Sequence, residues 1–406
     1  MKKNTKKQPW IKPRHKIITK LASFVLYPYI KMKYRVKIER FQKQGNRPYL
    51  ILYNHQTGFD QFFVGLAFRG PVYYVATEDI FSLGFLSSLL RFAVAPIPIK
   101  KQTTDISAVK NCVKVAKEGG TIAIAPEGNR TFHGRTVYIN PSIVSLIKVL
   151  KLPVAFFRIE GGFGVQPRWS DVIRKGKMRA YVSDVLEPEV IKTMSDEELA
   201  SYVQEKLYVD EAKADGHFYH EKNAEYLERV FYVCPYCGLS EFETHGDMIT
   251  CKKCSKQIQY LPTKELKGVG FDFPFQFVAD WYDYQCDYVN NLNPQDYVKD
   301  AVYQNTVDIS EVVINKKKIL LKENAQISLY GNRILINDLN GSDVTFNFAE
   351  TTALAVLGKN KINIYHDKKV YQIKGDKRFN ALKYVNFFYH HKNISKGESH
   401  GKFLGL

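Results

Sequence analysis

Between Pro48 and Glu189 short apolar runs alternate with helical patterns, and this rhythm restricts the fold more than any other feature of the chain. Tyr49–Tyr53, Val72–Ala76, Val94–Ile99, Thr121–Ala125, Val154–Phe157 and Arg179–Val182 read as strands. Among the segments between them, Asp60–Arg69 suits a helix. Asp105 suits the N-cap of another, with Ile106, Val109, Cys112, Val113 and Ala116 on one face and Gly119-Gly120 stopping it. Asn140-Pro141 suits a cap and first turn for a third, ending near Lys151. Strands joined by helical crossovers run parallel, so the pattern predicts an α/β domain with a mostly parallel core sheet.

The chain has 406 residues, room for two or three domains. Its expected organisation is a basic arm and helix over 1–40, the α/β domain over 41–190 and a helical connector over 191–232. A cysteine module at 233–260, an aromatic helical linker at 261–307 and a β-rich domain at 308–406 follow. Ser195-Asp-Glu-Glu198 has the form of a capping box and opens a helix expected to reach about Ala214. Phe271–Tyr288 is expected to be helical, packing Phe277, Trp281 and Tyr288. From about Val312 short strands are separated by the turn signals Gly331-Asn332, Asn340-Gly341, Lys359-Asn360 and His366-Asp367. A closing helix carries Phe379, Leu382, Val385 and Tyr389.

Net charge is +18, from 59 basic and 41 acidic side chains, so the chain must face something anionic. Residues 1–38 hold twelve Lys or Arg and no acid, interleaved with Trp10, Phe24, Tyr27, Tyr29 and Tyr34. No charge-free apolar run reaches 18 residues, and no signal peptide is legible, so an intracellular protein without a membrane span is expected. A basic arm of this kind suits an anionic membrane surface, at about 1 kcal/mol per basic residue. Leu83–Phe92 reads either as an apolar lip against that surface or as a core helix.

The sharpest chemical signal is Asn54-His55-Gln-Thr-Gly-Phe-Asp60, where a strand ends and a helix begins. A histidine is the side chain suited to general-base work near neutral pH, provided an acceptor orients one ring nitrogen. Asp60, across a turn that Gly58 is expected to ease, can be that acceptor. Free amides at the helix start could assist an oxyanion. The strand Thr121–Ala125 runs into Pro126-Glu127-Gly128-Asn129-Arg130, and Val94–Ile99 runs into Lys100-Lys101. Ligands of open α/β sheets bind beyond the carboxyl ends of strands, so the three segments are expected to share one mouth. Arg130 can fork two phosphate oxygens while Lys100 and Lys101 act as point charges, which suits a hydroxyl-bearing phosphate compound.

These blocks resemble the glycerophospholipid acyltransferase superfamily over about Lys37–Glu189. Its NHxxxxD block, basic block, PEGTRS-like block and apolar-proline block match Asn54-His55…Asp60, Ile97-Pro98-Ile99-Lys100, Pro126–Arg130 and Leu152-Pro153-Val154. Asn129 stands where the family usually has threonine, and Lys where Arg is commoner. The resemblance implies an acyltransferase with His55 and Asp60 catalytic and with Glu127, Gly128, Arg130, Lys100 and Lys101 on the acceptor phosphate. It further implies a lyso-phospholipid or glycerol-3-phosphate acceptor, above all 1-acyl-sn-glycerol-3-phosphate, and acyl-CoA or acyl-carrier protein as donor.

Cys234-Pro-Tyr-Cys237 and Cys251-Lys-Lys-Cys254, thirteen residues apart, have the form of a zinc ribbon with four thiolate ligands and no open position. A structural zinc is expected, with redox thiols as the alternative. His245 reads as a surface residue; Cys112 and Cys286 read as core. The ribbon loop carries Glu241, Glu243 and Asp247 and lacks a basic aromatic face, so nucleic acid is not the expected partner. The element order of the C-terminal part is similar to that of PH- or GRAM-like lipid-binding domains. Lys316, Lys317 and Lys318 there read as solvated surface, with lipid headgroups as the other reading. A non-catalytic membrane- or nucleic-acid-binding adaptor on a degenerate acyltransferase fold is the competing interpretation of the whole chain.

Overall fold

The computed structural model describes residues 9–77, 80–81, 85–99, 105–313, 318–339, 341–398 and 401–404. The chain divides into two compact units. The first comprises 1–129, 136–161 and 177–209; the second comprises 130–135, 162–176 and 210–406.

In the first unit the order is α1 (Pro13–Tyr34), β1 (Val36–Ile38), β2 (Leu50–Tyr53), α2 (Asp60–Ala67), β3 (Val72–Thr77), α3 (Phe85–Ala93) and β4 (Ile97–Ile99). Then come α4 (Ile106–Lys117), β5 (Thr121–Ile124), α5 (Ser142–Leu150) and β6 (Val154–Glu160). The short α6 (Gly162–Val165) belongs to the second unit, and the first continues with β7 (Met178–Leu186), α7 (Pro188–Ile191) and α8 (Asp196–Leu207). The sheet order is β1-β7-β6-β2-β5-β3-β4. From β6 to β4 neighbours are parallel, β7 is antiparallel to β6, and β1 is parallel to β7. The expected mostly parallel sheet is therefore present. Its central strand β2 has all four residues buried, as a strand covered on both faces requires.

Local signals fix several boundaries. The Asp105 carboxylate caps α4 by accepting from the amides of Ser107 and Ala108. Ser195 and Glu198 form the capping box of α8, which ends at Leu207, short of Ala214. Lys151, at φ 53°, closes α5 in the left-handed region. The buried face of α4 is turned from the expected one. Ala108, Cys112 and Val115 are buried, whereas Ile106 is 63% exposed. The strand expected over Val94–Ile99 begins only at Ile97, because α3 continues through Ala93.

Helix α1 buries only His15, Ile30 and Tyr34, while Phe24 is 84% exposed and Leu21 and Val25 also face outward. Near its start the Trp10 indole donates to the Ala95 carbonyl at 3.0 Å, and the Arg14 guanidinium lies 4.2 Å over the Phe92 ring. Phe85, Leu89 and Phe92 of α3 are exposed as well, which answers the core-helix reading of this segment. Among the described residues no helix is long and apolar enough to cross a membrane.

The second unit begins, after α6, with the hairpin β8 (Val233–Cys234) and β9 (Gly238–Leu239). A four-stranded antiparallel sheet follows, built of β10 (Phe242–His245), β11 (Met248–Cys251), β12 (Gln257–Tyr260) and β13 (Leu266–Gly268). Helix α9 spans Val278–Asn290. The aromatic stretch before it, 271–277, expected to be helical, is irregular chain outside the helix. Alternate Phe271, Phe273 and Phe275 contact one another edge-on there, a period-two arrangement. A seven-stranded antiparallel sheet, ordered β17-β16-β15-β14-β20-β19-β18, completes the unit with α10 (Leu382–Ser395). Its strands are β14 (Tyr303–Glu311), β15 (Ile319–Leu329), β16 (Arg333–Leu339), β17 (Ser342–Asn347), β18 (Ala353–Leu357), β19 (Lys361–His366) and β20 (Lys369–Gly375). Gly331-Asn332 and Lys359-Asn360 fall between consecutive strands, His366 ends β19 with Asp367 following it, and Asn340 lies outside the described residues. Strand β14 starts before the expected Val312, with Tyr303, Val307 and Ile309 buried.

Candidate active site

Strand β2 ends at Tyr53, and the next residue takes over its pairing. Asn54 Nδ2 donates to the Ile159 carbonyl at 2.9 Å, and its Oδ1 accepts the Ile159 amide at 2.8 Å. This side chain copies a strand partner for β6 and releases the backbone to turn. Asn54 thus ties the turn to a partner 105 residues away.

The turn is closed by Asp60, which is fully buried. Its carboxylate accepts from the Gln56 amide at 2.6 Å, the Thr57 amide at 3.0 Å and the Thr57 hydroxyl at 2.7 Å. His55 Nδ1 lies 2.8 Å from Asp60 Oδ2. Since both carboxylate oxygens accept, the ring nitrogen facing them donates, and Nε2 is left as the acceptor tautomer. The imidazole is 23% exposed, and among the described residues no partner faces Nε2. Gly58 is absent from the positive-φ glycines of the described residues, so the carboxylate makes this bend and glycine freedom is not what the turn requires.

Glu127 comes from the end of β5, the parallel neighbour of β2. Its Oε1 accepts the His55 amide at 2.9 Å and its Oε2 the Val137 amide at 3.3 Å. The residue expected on the acceptor phosphate thus fastens the backbone of the histidine. Burial pushes its carboxyl up to about 8; the charge of Asp60 adds to the rise, and the two amide donors oppose it. A carboxyl that holds its proton more tightly when folded stabilises the protein fully below about pH 4.5. That contribution is lost as pH rises through about 8. The unaltered chain should therefore lose thermal stability between pH 5 and 8 by more than Glu127→Gln does. Parallel melting curves for the two chains would discard this account of Glu127.

Gly128 sits at φ +71°, a conformation that favours glycine, and a Cβ there would meet nothing within 4 Å. Arg130 belongs to the second unit, so the sequence motif Pro126–Arg130 passes from one unit to the other. Its carbonyl accepts from Arg168. Lys100 and Lys101 lie outside the described residues, as do Lys316 and Lys317. Sequence reading missed Val137, Ile159 and Arg168, whose parts are played by backbone groups or through partners distant in sequence. It also passed over Gln56, whose buried carboxamide has no hydrogen-bond partner on either atom among the described residues.

In the second unit the thiols of Cys234, Cys237, Cys251 and Cys254 all lie within 4.8 Å of one another. The Cys234–Cys254 and Cys237–Cys251 sulfurs are 3.7 and 3.6 Å apart. Four thiolates at the usual zinc–sulfur length span tetrahedral edges of about 3.8 Å, so the cluster fits such an ion. His245 is exposed and bonded to Glu243 at 2.7 Å, which agrees with its surface reading.

Residues 33–159 match the family model described as Acyltransferase. The chain is 21% identical over 179 residues to a chloroplast 1-acyl-sn-glycerol-3-phosphate acyltransferase of Arabidopsis thaliana, covering 43% of this chain and 49% of that protein. It is 24% identical over 115 residues to the 1-acyl-sn-glycerol-3-phosphate acyltransferase of Bacillus subtilis, covering 28% and 54%. The crystal structure of the 1-acyl-sn-glycerophosphate acyltransferase of Thermotoga maritima aligns at a TM-score of 0.37 and 19% identity, over 47% of this chain and 75% of that one. The chain spans about half the length of the curated relatives it matches. The segment matched to the acyltransferase family, 33–159, thus contains the His55–Asp60 pair, placed at the end of a central parallel strand.

Proposed function

We propose that the chain transfers a fatty acyl group from an acyl thioester to the free hydroxyl of a glycerol-phosphate lipid precursor, best fitted by 1-acyl-sn-glycerol-3-phosphate. The observation that carries the reading is the 2.8 Å contact of His55 Nδ1 with the buried Asp60, which leaves Nε2 as acceptor. Nε2 takes the hydroxyl proton while that oxygen attacks the thioester carbonyl. The tetrahedral oxyanion is held by N–H donors, the C–S bond breaks, and the imidazolium returns its proton to the leaving thiolate. Asp60 fixes the ring and Glu127 fixes its backbone. Arg130, with Lys100 or Lys101, takes the phosphate of the acceptor.

The four cysteines hold a structural zinc in this reading. A closed four-sulfur set has no place for substrate, so the ion stabilises the ribbon and has no part in acyl transfer. The protein works at an anionic membrane surface. Support comes from the basic N-terminal segment and from the exposed Phe24, Phe85 and Phe92.

The test is thiol release from acyl-CoA by the purified chain with a panel of lyso-phospholipids and glycerol-3-phosphate, with or without anionic vesicles. Release dependent on one acceptor, with flotation on the vesicles that salt reverses, is the expected result. Flotation without release for any acceptor or donor would favour the non-catalytic adaptor.

A further inference from the structure

Wholly within the second unit, a cavity of about 340 Å³ lies between the cysteine ribbon and the closing helix. That is the size of a site for a small molecule. Glu241 precedes β10 and Phe242 opens it, Asn305 lies in β14, and Phe379 and Lys383 flank the start of α10. Phe231, Phe242 and Phe379 are buried and give the cavity an apolar wall.

Lys383 is the unusual member of that wall. Lysine is rarely buried, yet this one is 2% exposed. Its ammonium lies 3.3 Å from Glu241 Oε1 and 4.2 Å over the Tyr303 ring. An ammonium has three N–H donors, and among the described residues Glu241 is the one hydrogen-bond acceptor it meets. That carboxylate is 45% exposed and shared, since its other oxygen is 4.0 Å from Lys252. Burial pulls the Lys383 ammonium down to about 8; Glu241 opposes this only in part, and Lys252 adds to it.

The remaining charges of the wall have other commitments. Arg378 pairs with Glu225 and Glu228, and Glu243 pairs with His245 at 2.7 Å. Lys383 and Lys252 are therefore two cations around one carboxylate. Asn305 brings a neutral donor to the same wall. Its Oδ1 accepts the Tyr384 hydroxyl at 2.9 Å, and among the described residues its Nδ2 has no acceptor. Donors beside an aromatic wall suit an anion with an apolar body. Glu243 and Asp376, also on the wall, count against a dianion such as phosphate.

We propose that this cavity binds a small organic carboxylate, its anionic end on Lys383 and Asn305 and its apolar body on Phe231, Phe242 and Phe379. Glu241 then competes with the ligand for one ammonium. Nothing in this site depends on acyl transfer.

The probe is benzoate, titrated calorimetrically into the full chain at about pH 6.5, where Lys383 is charged, with benzyl alcohol as its neutral counterpart. Benzoate should bind with a dissociation constant of about 1 mM, as suits so few atoms, and benzyl alcohol about tenfold more weakly or worse. Lys383→Met should weaken benzoate by about tenfold or more, the loss expected for a charge-assisted hydrogen bond. Glu241→Gln should instead tighten it by about tenfold, because the competing charge is gone. A Lys383–Glu241 pair that is only structural gives no such gain. Lys369→Met is the control: Lys369 pairs with Glu311, lies off this wall, and should change neither affinity. If Lys383→Met does not fold, the Glu241→Gln gain and the preference for benzoate over benzyl alcohol decide the matter. No benzoate binding by the unaltered chain, equal affinity for the two probes, binding that survives Lys383→Met, or no gain in Glu241→Gln would overturn the proposal. Tighter binding of inorganic phosphate than of benzoate would overturn its ligand class.

Discussion

His55→Ala should lower kcat for acyl transfer by about a thousandfold, the range of a lost general base, while its melting temperature stays close to that of the unaltered chain. The imidazole is part-exposed, and among the described residues its ring makes one hydrogen bond, to Asp60, so removing it leaves a small structural debt. Asp60→Asn should cost about a hundredfold or more for a different reason. The carboxylate accepts from Gln56, Thr57 and His55 together, and an amide in its place turns one acceptor into a donor. The ring then loses the partner that sets its tautomer, and a neighbouring amide loses its acceptor. Asp60→Ala goes further, leaving buried donors unpaired at about 1–3 kcal/mol each, so a fall in stability should accompany the fall in rate. Stopped-flow thiol release with denaturation curves on the same samples separates the two effects. A His55→Ala chain with near-normal kcat would remove the histidine from the chemistry.

The second large effect concerns the cysteine cluster. Chelation of the proposed zinc, or Cys251→Ser, should unfold the ribbon strands over 233–260. Apparent binding energies for structural zinc run to about 10–16 kcal/mol, comparable with the whole stability of an ordinary domain. Cys251 is fully buried and its thiol sits 3.6 Å from that of Cys237, so the serine replacement is nearly isosteric. Without a metal it would cost little. Metal analysis should give one zinc per chain, and limited proteolysis should cut the metal-stripped chain within 233–260. A metal-free chain that resists the protease as well as the original does would return the cysteines to the redox reading.

Much of this architecture was legible because it is written in local chemistry. Asp105, Ser195 with Glu198, and the hairpin turns such as His366-Asp367 mark their elements within a few residues. In that last turn Asp367 and Lys368 take φ values of 47° and 61°. The His55–Asp60 contact was legible for the same reason, since its partners are five residues apart. What escaped depends on distant segments. The α4 face was misjudged because Ile106 and Val109 share the apolar pattern, and only the sheet decides which side is covered. Phe271–Phe277 looked helical by composition, whereas aromatic packing at period two won. Glu127 was expected to meet the acceptor directly. Nothing in Glu127-Gly-Asn-Arg130 announces that its oxygens are taken by the amides of His55 and Val137, one of them 72 residues away.

The central claim is that this chain moves an acyl group and that one imidazole takes the proton. It is tested most directly by acceptor-dependent thiol release from acyl-CoA, recorded for the unaltered chain beside His55→Ala at equal fold stability. The account predicts one diacyl product per thiol released by the first chain and about a thousandfold less of both from the second. Equal release by the two chains, or release that ignores the acceptor, would contradict it.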